Sequence, residues 1–183
     1  MTSSSPADLL QSGGASGTWQ LDPAPSSITF AVKHFWGLMT VKGRFGEMEG
    51  TVDVSETGAA RGSLTVKSES LATGIKKRDG HLRSPAFFHV GEHPMITFRI
   101  DDVVMVGPDL AQVTGALTAA GKSQPVRFDA RLEATAAGPC GGDSAIVDAR
   151  AVIDRTKHGM TWSPMGMAAR VATVTLHLVF ARR

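Results

Sequence analysis

The 183-residue chain has no tyrosine, one cysteine and only eleven aromatic residues, eight phenylalanines and three tryptophans. A lone cysteine, Cys140 in Gly138-Pro139-Cys140-Gly141-Gly142, excludes an internal disulfide and any Cys-x-x-Cys metal site, and reads as an inert loop thiol. Nowhere do about 18 apolar residues run uninterrupted, so no membrane-spanning helix is expected. Charge of one sign is missing too: 19 basic residues stand against 17 acidic ones, mixed along the chain. No Lys/Arg run is interleaved with aromatics, which argues against nucleic acid as a partner. The N-terminus lacks a basic region followed by an apolar core, Leu9-Leu10 being its only apolar cluster, and this points to the cytoplasm.

Nucleophilic chemistry also lacks its usual signs. There is no Gly-x-Ser-x-Gly elbow, and the adjacent carboxylates Asp101 and Asp102 would face opposite sides of a strand. Gly121-Lys122-Ser123 resembles part of a phosphate-binding loop, but Gly115 stands one place too early, and Gln124-Pro125 leads into an alternating strand rather than a helix.

What is present is alternation. Residues 1–18, rich in Ser, Gly and Ala, are expected to form a mobile tail, and residues 19–183 a single domain. Ile28, Phe30, Val32 and His34 share one face of a first strand, with Thr29, Ala31 and Lys33 on the other. His34 fits either a hydrogen-bonded core histidine or a ligand contact. A second strand runs through Val41, Gly43 and Phe45, with a bulge expected at Gly46 before Met48 to Val54. Leu64 to Val66, Met95 to Val106, Gln112 to Ala119, Val126 to Glu133, Ile146 to Arg155 and Val171 to Phe180 supply the rest. Gly107-Pro108-Asp109 turns one of the hairpins. Eight strands without a long helical period favour an all-β, antiparallel barrel over a sandwich, which alternation by itself leaves open. A short helical segment is expected around residues 71–88, weakened by Gly80 and stopped by Pro85.

Around that segment Lys76, Lys77, Arg78, His81 and Arg83 gather positive charge beside Leu82, Phe87 and Phe88. A cationic side next to an aromatic side suits an amphiphile with a charged or polar head. The same residues also suit a solvated connector whose apolar members plug a core.

Arg78-Asp79-x-His81-Leu82, Phe87-Phe88, His93-Pro94 and Ile96-Thr97-Phe98 resemble the signature region of the YceI-like family, lipocalin-like barrels that bind polyisoprenoids and related lipids. The resemblance extends to Ser26-Ser27-Ile28-Thr29-Phe30, Val32-Lys33-His34, Val41-Lys42-Gly43-Arg44-Phe45, Pro125-Val126, Asp154-Arg155 and Gly159-Met160. The chain departs from the pattern at His89, where the family usually has Asp, and at Lys122 to Gln124, which lacks the usual Thr-Arg.

The resemblance implies an eight-stranded lipocalin-like barrel holding one long isoprenoid or fatty-acyl chain, without catalysis or cofactor. With alternation setting the facing, Phe30, Val32, Phe45, Val66, Phe98, Phe128 and Ile153 are expected to line it. Arg78 and His81 are expected at the head group with Asp79 holding one of them, and His34, Phe87 and Met160 complete the expected ligand set. A homodimer is compatible with this reading.

Two alternatives carry specific residues. An enzyme acting on such a lipid is one. The other is a copper-handling protein using His158 and the Met160, Met165 and Met167 loop, since thioether and imidazole together suit monovalent copper. Methionine equally suits the lining of an apolar cavity. His89-Val90-Gly91-Glu92-His93 matches the spacing of an inverted zinc-protease motif, but Gly91 and Pro94 argue against the helix that would bring its side chains together, so no metal is expected there.

Overall fold

The computed structural model describes residues 4–135 and 143–183; Cys140 lies outside them. Ten strands are ordered β1 Gly17–His34, β2 Met39–Phe45, β3 Met48–Val54, β4 Ala60–Lys67, β5 Leu71–Ala72, β6 Met95–Met105, β7 Leu110–Ala119, β8 Lys122–Thr135, β9 Ser144–Asp154 and β10 Val171–Arg182. Helix α1 spans Pro6–Gln11 and α2 spans Lys76–Arg83. All pairings are antiparallel, and β10 returns to β1, closing an eight-stranded barrel of β1, β3, β4, β6, β7, β8, β9 and β10. Closure removes the free edges that an open sheet of this size would expose.

The two extra strands are β2, beside the second half of β1, and the two-residue β5, which pairs with Arg44 and Phe45 of β2. β1 pairs with β3 through its first residues, Gly17 to Gln20, and with β2 through Ile28 to His34. β2 and β3 therefore lie end to end along β1, broken at Gly46-Glu47, where the backbone N–H groups of both residues donate to the Ser70 hydroxyl. The irregularity expected at Gly46 is thus a full interruption. Above it, β2 and the second half of β1 form a flap whose tip exposes Trp36 and Leu38, while β1 stays paired with β10 as far as Val32. Within the flap Phe30 faces Gly43 across the pair; a side-chain carbon at Gly43 would lie 2.3 Å from its ring, so only glycine lets the ring lie flat there. The β7–β8 hairpin turns through Ala120 and Gly121, both at positive φ (48° and 76°), as two-residue hairpins require. That turn is the supposed phosphate-loop sequence, and no helix follows it.

The N-terminal segment differs from the mobile tail expected. Ser5 accepts from the Asp8 N–H while Asp8 accepts from the Ser5 N–H, a reciprocal cap, and Pro6 occupies the first turn. Helix α1 then lies across one end of the barrel. The Ala7 N–H donates to the Pro108 carbonyl (3.1 Å), and the Leu10 carbonyl sits so close to Gly58 that a side chain there would meet it at 2.7 Å. We call this the helix end. The opposite, connector end carries the flap, α2, the chain from residue 84 to 94 and the loop from residue 155 to 170. No helix among the described residues is long and apolar enough to cross a membrane.

Candidate ligand cavity and the connector end

Inward-facing side chains do not fill the barrel. Beneath α1 lies a cavity of about 410 Å³ whose walls include Leu9, Leu10, Trp19, Val52, Val113, Leu178 and Phe180. Nearer the connector end is a smaller cavity of about 90 Å³, lined wholly by apolar residues, among them Ile28, Phe45, Val66, Ile96, Val126 and Ile153. Leu64, Phe98, Phe128 and Leu176 line both. The Phe98 and Phe128 rings stand 5.5 Å apart there, forming a waist between the chambers.

Of the residues expected to line the interior, Phe45, Val66, Phe98, Phe128 and Ile153 do so. Phe30, Val32 and His34 are not among the lining residues. They follow Ile28 on β1, where the strand stays paired with β10 as far as Val32 but has β2 instead of β3 as its other neighbour; Phe30 is buried against Phe45 (5.5 Å), and His34 stands edge-on to Phe35 (4.6 Å). Alternation gives the right face but not which neighbour a strand takes along its length. Leu64, Leu117, Val113 and Leu176 were equally visible to alternation, whereas Leu9 and Leu10 were hidden by the expectation of a tail.

Arg78, Asp79, His81, Phe87 and Met160 also lie outside both cavity walls. Arg78 donates from Nε to the Thr73 hydroxyl (2.8 Å) and from Nη2 to the Thr73 carbonyl (3.0 Å). The Thr73 hydroxyl and N–H in turn donate to Asp79 Oδ1. Asp79 thus holds Arg78 through Thr73 rather than by a direct ion pair. The hydroxyl bond chiefly keeps the buried Asp79 carboxyl below its ordinary range, aided by the Thr73 N–H and the nearby Arg83 and Arg78, while burial opposes it. Arg83 donates to the Glu69 and Leu71 carbonyls. Together these bonds fasten α2 to the chain leading out of β4.

His81 is different. Its ring stands edge-on to Trp162 (4.6 Å) and Phe87 (5.1 Å), and its Nε2 is buried with no hydrogen-bond partner among the described residues. Trp162 is held there by Arg155, whose side chain is buried at 5 % exposure. Arg155 Nε donates to the Ala169 carbonyl, Nη1 to the carbonyls of Met160 and Trp162, and Nη2 to that of Ala168. Burial pulls its pKa down, and the neighbouring Asp154 opposes that. The Asp154-Arg155 motif marks this side chain, but its role does not show in the sequence, because four carbonyl partners leave no mark there.

The copper residues are arranged otherwise than that alternative requires. His158 is 2 % exposed with Nδ1 donating to the Lys122 carbonyl (2.9 Å), while Met165 projects into solvent at 83 % exposure. His89, Glu92 and His93, in contrast, do come together. The His93 and Glu92 N–H groups both donate to the His89 carbonyl (2.8 and 3.0 Å), making the single turn that Gly91 and Pro94 seemed to forbid. Gly91 sits within that turn, and Pro94 follows its last donor, so neither breaks it.

A closed antiparallel barrel around an elongated apolar cavity is the class that this geometry defines. A YceI-like domain model matches residues 19–180, and the chain belongs to that family. It is 34% identical over 135 residues to a UPF0312 protein of Pseudomonas paraeruginosa, covering 73% of this chain and 70% of that one. A UPF0312 protein of Pectobacterium atrosepticum is 36% identical over 107 residues, 57% of this chain and 55% of that one. Among solved structures, Burkholderia cenocepacia BcnA superposes with a TM-score of 0.77 at 20% identity, covering 87% of this chain and 98% of its own. A polyisoprenoid binding domain from Saccharophagus degradans implicated in plant cell wall breakdown gives 0.67 at 18%, covering 90% and 98%. These superpositions establish the fold.

Proposed function

We propose that the barrel binds one long-chain amphiphilic lipid, an isoprenoid or fatty-acyl chain, and holds or carries it without chemical change. The observation that carries this reading is the paired cavity, wholly apolar on one side of the Phe98 and Phe128 waist and mainly apolar on the other, where Ser63, Glu133, Asp143, Ser144 and Arg182 join the walls. The larger chamber, about 410 Å³, is itself within the few hundred to a thousand Å³ usual for ligand sites. The Saccharophagus domain's polyisoprenoid binding and the shared family give the same direction.

The tail occupies both chambers. Arg182, the one cation in the described lining, donates to the Gly14 and Ser16 carbonyls and pairs with Asp143. Arg78 is similarly engaged. At the connector end His81, whose Nε2 has no hydrogen-bond partner among the described residues, is the polar contact offered to a head group, near where Phe45 of the small chamber meets Phe88 edge-on at 5.9 Å.

Each added methylene contributes about 0.8 kcal/mol on leaving water, so affinity should rise about fourfold per carbon along a homologous fatty-acyl series until the chambers are full. Val113 is buried in the wall of the large chamber, and Val113→Trp would project an indole into it and obstruct the path of a long chain. We expect the variant to stay folded but to lose the long-chain members of the series and any lipid recovered by organic extraction and mass spectrometry. Affinity independent of chain length, with no extractable lipid from the wild-type protein, would overturn the reading.

A further inference from the structure

We propose that His89, Glu92 and His93 form a binding site for a divalent first-row transition ion on the outer face of the connector. One ligand atom from each lies within 4.8 Å of the other two, and His89 Nδ1 stands 3.6 Å from Glu92 Oε2. Two imidazole nitrogens and one carboxylate oxygen are a donor set suited to zinc, nickel, copper or cobalt, with coordination positions left for water. Metal–ligand bonds of 2.0–2.1 Å in tetrahedral array put donors about 3.3 Å apart, so closure needs only small side-chain rotations.

Two further observations show that the backbone is set for this arrangement. His89 adopts a positive φ of 47°, in the left-handed region that few non-glycine residues enter, although histidine does so more readily than most. Its N–H is held by the Ser84 carbonyl (3.0 Å), so the left-handed residue reverses the chain and delivers Glu92 and His93 back to it. His93 is fixed independently. Fully buried Ser68 donates its hydroxyl to the His93 carbonyl (2.7 Å) and its N–H to the Pro94 carbonyl (2.9 Å). The His93 ring rests on Gly121, where a side-chain carbon would come within 2.5 Å of it. Glu92, the most exposed of the three at 70 %, supplies the mobile third ligand. An ion held here would clamp the chain between α2 and β6 in the turn it already makes, and the site is independent of the lipid cavity.

The probes are Co²⁺, whose visible d–d bands report its coordination, and Zn²⁺ in competition. We expect one equivalent of Co²⁺ per chain, displaced by one of Zn²⁺, and a melting temperature that rises with free Zn²⁺ because the ion binds the folded turn. His89→Ala and His93→Ala should each abolish the bands, and Glu92→Gln should weaken binding by about tenfold. His177→Ala, at an exposed histidine paired with Asp148 on the barrel wall, should leave both readouts unchanged. Circular dichroism checks that each variant is folded. Binding that survives in a folded His89→Ala/His93→Ala double variant, or no stoichiometric binding by the wild-type protein, would overturn the proposal.

Discussion

The connector end and the helix end of the barrel differ in an instructive way. Nearly every recognisable motif sits at the connector end, yet its polar residues are mostly engaged with one another: Arg78 with Thr73, Thr73 with Asp79, Arg155 with four carbonyls. The helix end carries little motif, and α1 precedes the matched domain altogether. It nevertheless covers the larger chamber. A cluster of distinctive residues therefore marks where backbone must be held in unusual paths, while the space for a ligand is made by ordinary alternating Val, Leu and Phe.

The harshest test of that contrast is Arg155→Met. Methionine approximates the volume but leaves four carbonyls without their donor in a buried setting, and bonds to a charged group are individually worth about 1.5–3 kcal/mol. We expect a loss of about 3 kcal/mol or more in urea unfolding, with Trp162 released from His81. If instead stability is kept and only lipid affinity falls, Arg155 belongs to the ligand site and the division between the ends fails.

The barrel was legible because period-two alternation survives wherever one face of a strand is buried, and Val126 to Glu133 shows it without interruption. Other features needed tertiary contacts. The capping box of Ser5 and Asp8 with Pro6 at the first turn was visible, but a six-residue helix is unstable alone and forms only by lying against the Pro108 and Gly58 turns. Alternation places Phe30, Val32 and His34 on the inner face because nothing in it reveals that β1 exchanges β3 for β2 as a neighbour from Ile28 onward, beyond the cavity wall. The turn at His89 was missed for a related reason. Glycine and proline argue against long helices, and one turn supported by Ser68 and Ser84 requires no helix.

A gentler test addresses the fastening of α2. Asp79→Asn keeps the shape but removes the charge that the Thr73 hydroxyl and N–H support, and should cost about 1–2 kcal/mol at neutral pH. The folded protein holds this carboxyl below its ordinary value of about 3.9, so its contribution is present above that pH and disappears as pH falls through the lower folded value. Wild-type stability should therefore decline in acid below about pH 4, and Asp79→Asn should flatten that decline. Affinity for all ligands should fall together, if at all. A variant with unchanged acid dependence that discriminates between neutral and anionic heads would move Asp79 from the framework to the binding site.

The smallest effect on stability, and the clearest on function, is expected at the helix end. Helix α1 buries none of its residues fully, and removing residues 1–14 leaves the Trp19 Nε1 bond to the Ala15 carbonyl in place, so unfolding should change by only about 0.5–1 kcal/mol. Leu9 and Leu10, however, form part of the wall of the large chamber. Without them its mouth opens to water, and a bound chain loses apolar contact worth about 1.4 kcal/mol, roughly 55 Å² at 25 cal/mol/Å², or one factor of ten. The loss should appear in dissociation, because affinity changes at one interface act mainly through the off-rate. Stopped-flow release of a fluorescent fatty-acyl probe should therefore quicken about tenfold while the melting temperature hardly moves. Leu9→Ser/Leu10→Ser in the full chain should reproduce the effect if the leucines themselves seal the mouth. Equal release rates in all three proteins would mean that a lipid leaves by the connector end, past His81 and Phe88, and would reverse which end of the barrel acts as the door.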